Sequence, residues 1–98
     1  MKMTKTQSGT SLTIAVQGRL DTTTAPELEK ELQSSLDGAD ELTLDFSELD
    51  YISSAGLRVL LSAHKIMSTK GGMKVTHASE IVKEVFEVTG FAEIINME

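Results

Sequence analysis

The segment that most restricts what this chain can become is Leu42–Leu61, LTLDFSELDYISSAGLRVLL. Leu42, Leu44 and Phe46 alternate with polar residues, which is the period of a strand with one buried face. A short acidic turn follows. From about Ala55 to Thr69 the pattern becomes that of a helix, apolar over most of its girth. Leu57, Leu60, Leu61, His64 and Met67 fall on one side, with Val59, Ala63 and Ile66 adjoining. Arg58, Ser62, Lys65 and Thr69 form the only polar stripe, so this helix is expected to be covered by more than a sheet. Two serines, Ser53 and Ser54, stand where the strand gives way to the helix. A hydroxyl there lies at the positive end of a helix dipole, beside amides that have no partner within the helix. Adding a phosphate is favoured at such a place, and Ser54 is the acceptor expected of the two.

The flanking sequence supplies the rest of an α/β fold. Met1–Thr6 and Ser11–Gly18 read as a hairpin about Ser8-Gly9, with Leu12, Ile14 and Val16 on the buried face of the second strand. Thr24-Ala25-Pro26-Glu27 has capping-box spacing, with Thr24 as N-cap and Pro26 in the first turn. Ala25, Leu28, Leu32 and Leu36 make the apolar stripe of that first helix, and Gly38 ends it. After Gly71-Gly72, the residues Met73, Val75 and His77 alternate in a further strand. Ser79 caps a third helix whose core side is Ile81, Val82, Val85 and Phe86, Thr89-Gly90 closes it, and Glu93–Met97 forms a last short strand. The order is β-β-α-β-α-β-α-β, and crossovers through helices deliver parallel strands. The expected architecture is a mixed, mostly parallel sheet with helices mainly on one face. No linker or repeat divides the chain, so residues 1–98 read as a single domain.

Charge narrows the function. Fifteen acidic residues against nine basic ones give a net charge of −6, with no Lys/Arg cluster to meet nucleic acid or anionic lipid. The chain has no cysteine, so thiolate and disulfide chemistry are absent. MKMTKTQSGT lacks the apolar core of a signal peptide, and no apolar run approaches the roughly 18 residues that span a bilayer. A cytoplasmic domain without membrane insertion is expected, and most simply a monomer.

The chemistry-bearing residues have competing readings. A serine before a helix is commonly just an N-cap, worth about 1 kcal/mol. Because Ser53 and Ser54 are adjacent, one can cap while the other stays free. Gly56 lies in the first turn, where glycine costs roughly 1 kcal/mol of helix stability. Its missing Cβ leaves the backbone open to close approach from outside, as a partner or an anion would require. A serine hydrolase fails on parts. Ile52 stands where a nucleophile elbow needs its first glycine, His64 lies nearly three turns along the helix from Ser54, and His77 has no evident orienting partner. Asp21, Asp45, Glu48 and Asp50 match neither an EF-hand nor a zinc pattern and read as turn residues. Asp21 opens the loop into the first helix, and with parallel strands it shares the rim of Ser54, giving one acidic surface. Neither phosphate-loop glycine motif is present. The expectation is a binding protein, not an enzyme, with no metal and no cofactor.

DFSELDYISSAGLRVLL resembles the signature of the STAS domain, the fold of bacterial anti-sigma factor antagonists (anti-anti-sigma factors). GRLDTTTAPELEKEL is similar to that family's first strand-to-helix passage, and ASEIVKEVFEVTGFAEII to its last helix and strand. The resemblance implies a phosphoprotein that works by partner switching in transcription regulation. It binds an anti-sigma factor that is also a serine kinase, is switched off by phosphorylation, and is reset by a serine phosphatase. Laid on this chain, the acceptor is Ser54, followed by Gly56 and Leu57, with Ser53 the lesser candidate. Ser53 occupies the family's aspartate position, and Ala55 stands where Ser or Thr follows the acceptor. The implied partner surface is Asp21, Thr22, Ser53, Ser54, Ala55, Gly56, Leu57 and Arg58. The alternative is a constitutive STAS docking subunit of another complex, such as a lipid-transport ATPase, with no switch.

Overall fold

One long strand organises the sheet. In the computed structural model, which describes residues 1–98, β1 (Lys2–Ser8) folds back antiparallel on β2 (Ser11–Leu20). Two strands then run parallel to successive stretches of β2: β3 (Glu41–Asp45) along residues 11–15 and β4 (Leu49–Ile52) along residues 18–20. β5 (Met73–Thr76) and β6 (Asn96–Met97) continue the sheet in parallel beyond β3. The order is β1-β2-β3-β5-β6, with β4 beside β2. The connections carry helices α1 (Ala25–Ser35), α2 (Ser54–Met67) and α3 (Glu80–Thr89).

The period-two residues put one face of this sheet inside. Leu12, Ile14 and Val16 of β2, Leu42 and Leu44 of β3, and Met73 and Val75 of β5 are buried, while the residues between them are half-exposed. The helices therefore cover one face, and the buried core contains no polar or charged residue. The α1 helix tightens into a 3-10 turn at Leu36–Gly38. There the Lys70 ammonium donates to the carbonyls of Leu36 (2.7 Å) and Ala39 (3.0 Å), a cation at the negative end of the helix.

β4 departs from the sequence reading, which has only a short acidic turn between the strand of Leu42, Leu44 and Phe46 and the helix. Leu49 and Ile52 are the buried pair of this strand, a spacing of three that hides its alternation. The register of β2 shifts between Gly18 and Arg19, and Gly18 takes φ 95°, a left-handed value that a side chain rarely tolerates. The shift lets one strand serve two partners in sequence.

Three local expectations are corrected. Thr24 is the N-cap position but makes no capping-box bond. Its hydroxyl instead donates to the Arg19 carbonyl (2.8 Å) and accepts from the Asp21 amide (2.8 Å). Asp21 does the organising: its Oδ1 accepts from the Thr23 amide (3.0 Å), the Thr23 hydroxyl (2.7 Å) and the Thr24 amide (3.2 Å). In α3, Ser79 caps as expected, accepting from the Val82 amide at 3.3 Å, and Gly90 ends the helix with φ 82°. Ile81, however, is 59% exposed, because the buried side of α3 is defined by Val82 and Phe86, four residues apart. His77 lies past the end of β5, at φ 60°, and not in the strand.

Gly56 is explained by packing within the fold. A Cβ there would lie 2.8 Å from Leu20 Cγ and 2.9 Å from Ile52 Cγ1, so the first turn of α2 is pressed onto the ends of β2 and β4. The close approach comes from beneath the helix, which overturns the expectation of an approach from outside.

Gly56→Ala is expected to destabilise the fold by about 1–2 kcal/mol in urea unfolding, overpacking outweighing the better helix propensity of alanine. A gain in stability would defeat this packing account. The hydrogen bonds to Asp21, chiefly from Thr23, hold its carboxyl below the ordinary 3.8, and those to Asp45, chiefly from Ser47, do the same. Because both folded values are depressed, their stabilisation is complete above that pH and is lost as the pH falls below it. Urea midpoints measured from pH 7 to pH 2 should fall less steeply at the acid end in Asp21→Asn than in the wild type.

Candidate functional site: the rim at the start of α2

Parallel pairing of β2 with β4 places the two following loops side by side. Leu20 pairs with Ile52, and the Ser53 amide donates to the Leu20 carbonyl at 2.9 Å. Asp21–Thr24 and Ser53–Arg58 therefore share one rim, as the sequence expects. Between the starts of α1 and α2 is an open hollow of about 190 Å³, bordered by Thr22, Pro26, Glu29, Ala55 and Arg58.

The two serines are placed differently. Ser53 is the N-cap, with extended backbone, and its carbonyl accepts from the Leu57 amide at 3.0 Å. Its hydroxyl makes no cap hydrogen bond and is buried without a partner. Ser54 is the first residue of α2 and is exposed. The geometry thus separates an inaccessible hydroxyl from an accessible one. Neither caps through its side chain, contrary to the expectation that one of the pair would.

The eight residues of the expected partner surface divide in the same way. Thr22, Ser54 and Arg58 are exposed, and Asp21, Ser53 and Ala55 are half-buried. Gly56 and Leu57 are buried, Gly56 against the strand ends and Leu57, at 3% exposure, in the apolar core. They support the rim from below and offer no surface to a partner.

The rim is mixed in charge, which corrects the expectation of one acidic surface. Arg19, overlooked in the sequence, lies with its guanidinium 4.5 Å from the centre of the Tyr51 ring and its Nε 3.8 Å from Asp21 Oδ2. Arg58 contributes a second cation. The alternation of β2 gave no sign of Arg19 because its neighbour Tyr51 belongs to the strand that was not foreseen.

Other chemistry is poorly provided for. Asp45 Oδ1 accepts from the Ser47 amide (3.0 Å) and lies 3.4 Å from His77 Nδ1, so His77 does have a carboxylate neighbour. The His77 side chain is 70% exposed and lies in a loop, with Asp45 as its partner in place of a serine. His64 is half-buried on α2. Asp21, Asp45, Glu48 and Asp50 form no cluster suited to a metal ion. No helix is long and apolar enough to cross a membrane.

Comparison with known proteins agrees with this geometry. Residues 3–96 match the family described as "Mlab, STAS domain". A putative anti-sigma factor antagonist of Bordetella bronchiseptica, BtrV, is 40% identical over 96 residues, covering 96% of this chain and 83% of that protein. The anti-sigma-B factor antagonist of Bacillus subtilis is 26% identical over 92 residues, covering 93% of this chain and 84% of its own length. In fold, the chain is similar to the anti-sigma factor antagonist SpoIIAA in its unphosphorylated form. The TM-score is 0.85 at 15% identity, over 99% of this chain and 88% of that one. A chain that carries this fold, this rim and these relatives belongs to the STAS domain family of anti-sigma factor antagonists.

Proposed function

We propose that this protein binds a serine-kinase anti-sigma factor through the rim of Asp21, Thr22, Ser54, Ala55 and Arg58, and is released from it by phosphorylation of Ser54. The observation that carries the reading is the placement of Ser54: an exposed residue at the start of α2, beside a half-buried Ser53 whose hydroxyl is inaccessible. The names of the relatives add the class of partner, since an antagonist of an anti-sigma factor must meet one.

In the transfer, the Ser54 oxygen attacks the γ-phosphorus of ATP held by the kinase. The Oγ–P bond forms, the bond to the β-phosphate oxygen breaks, ADP leaves, and the hydroxyl proton passes to a base of the kinase. The product adds about −1.5 to −2 charges to the rim. The first turn of α2 tolerates that charge, because its earliest amides have no acceptor within the helix and the helix dipole is positive there. The domain therefore stays folded and the effect falls on the interface, through desolvation of a dianion and repulsion from acidic groups of the partner. A loss of about 2.7 kcal/mol weakens binding roughly a hundredfold, which suffices for release. The bound sigma factor is then governed indirectly, and a serine phosphatase acting on phospho-Ser54 restores the binding form. Binding and release by covalent marking need neither catalysis nor a cofactor from this chain, and they suit a cytoplasmic protein.

The second reading is a constitutive docking subunit of another complex, such as a lipid-transport ATPase. One observation favours it: the position that is aspartate in phosphorylatable members is Ser53, whose hydroxyl is buried and unpaired. The two readings part on one titration. Ser54→Asp is expected to weaken binding of the cognate kinase at least tenfold, while Ser54→Ala binds it and resists phosphorylation, both followed by calorimetry. Equal affinity of Ser54→Asp and wild type for that kinase would sink the switch. Retention of a transporter ATPase by both would establish the docking subunit.

A further inference from the structure

We infer that Arg58 is the side chain that receives the phosphate once Ser54 carries it, an inference that rests on the switch proposed above. Ser54 and Arg58 are four residues apart on α2, and both are exposed, so they share one face of the helix a single turn apart. An anion placed N-terminal to a cation at this spacing is the favourable order along the helix axis. The first turn of α2 contains no acidic residue, so nothing there already compensates Arg58. Arg58 is also uncommitted. It borders the hollow with Thr22 and Glu29, yet the ion pairs of the fold are Lys5–Glu31, Arg19–Asp21, Lys74–Glu98 and His77–Asp45. The other rim cation, Arg19, is engaged by Tyr51 and Asp21.

The guanidinium can swing from the hollow to a phosphate on Ser54 by rotation about its own side-chain bonds, without moving backbone. Its planar fork suits two phosphate oxygens, which an ammonium cannot match in the same way. Phosphorylation then changes the rim twice: it adds a dianion, and it withdraws Arg58 from any partner carboxylate that the unmodified protein engages.

The test uses the full chain with phosphoserine installed at residue 54 by genetic code expansion, so no kinase is needed. The second ionisation of the phosphate is followed by phosphorus NMR between pH 4 and 8, in Arg58, Arg58→Lys and Arg58→Gln backgrounds. A phosphoserine free of contacts titrates near about 6. The wild-type phosphate should titrate about half a unit below that of Arg58→Gln, with Arg58→Lys between them and the gap shrinking in high salt. The charged neighbours Glu29 and Asp21 are common to all three, so the difference isolates residue 58. Coincident titrations, or a wild-type value above that of Arg58→Gln, would overturn the assignment. Arg58 is exposed, and thermal melts of the unmodified variants check that each is folded. Coincident titrations leave the kinase switch standing, whereas a kinase that never modifies Ser54 defeats the switch and leaves this titration readable.

Discussion

The first turn of α2 is fixed to the ends of two strands, and the rest of the rim depends on that contact. Leu20 closes β2 and Ile52 closes β4, and both reach within 3 Å of where a Cβ of Gly56 would stand. The Ser53 amide binds the Leu20 carbonyl from the same place. A helix held at that depth has its first turn already against the strand ends and presents its first residue at the surface. Ser54 is exposed for this reason, and the Ser53 hydroxyl is buried for this reason. The same contact brings the start of α1 alongside, since the chain leaves β2 only one residue before Asp21 begins its loop. The loop is self-organised: the carboxylate of Asp21 gathers the amides of Thr23 and Thr24, leaving the turn independent of any partner.

Much of this was legible in the residues. Leu12, Ile14 and Val16, and then Leu42 and Leu44, alternate with half-exposed residues, and that period fixed the buried face of the sheet. Ser79 and Gly90 bracket α3 because cap chemistry is local and needs no tertiary context. What was not legible depended on contacts between distant segments. β4 pairs with β2 only across a register shift, and its buried residues, Leu49 and Ile52, do not alternate. Gly56 looked like an opening toward solvent, since nothing in its neighbours reveals which side of a helix will be crowded. Thr24 had the spacing of a capping box, but Asp21, three residues earlier, offered a competing acceptor. Ile81 reads as core by its helical spacing from Val85, yet the helix has one buried stripe, and Val82 and Phe86 occupy it.

The electrostatics of the rim suit a switch that acts at the surface. A net charge of −6 is spread over the chain, but two arginines stand at this edge. Arg19 is spoken for by the Tyr51 ring and Asp21, and bridges β2 to β4. Arg58 has no such commitment. In the proposed switch, a phosphate added beside it would meet a helix terminus and a cation outside the fold's ion pairs, and would add negative charge to the outward face. Regulation of the proposed kind would separate stability, which resides in the apolar layer beneath, from affinity, which it assigns to a few exposed groups.

The most direct test is to map the modification itself. The protein is incubated with its cognate kinase and ATP, and the phosphate is located by fragmentation mass spectrometry of the intact chain. The account predicts one phosphate, on Ser54, with Ser53 unmodified because its hydroxyl is buried. Phosphate on Ser53, or none on either serine under conditions where the kinase is active, would contradict it.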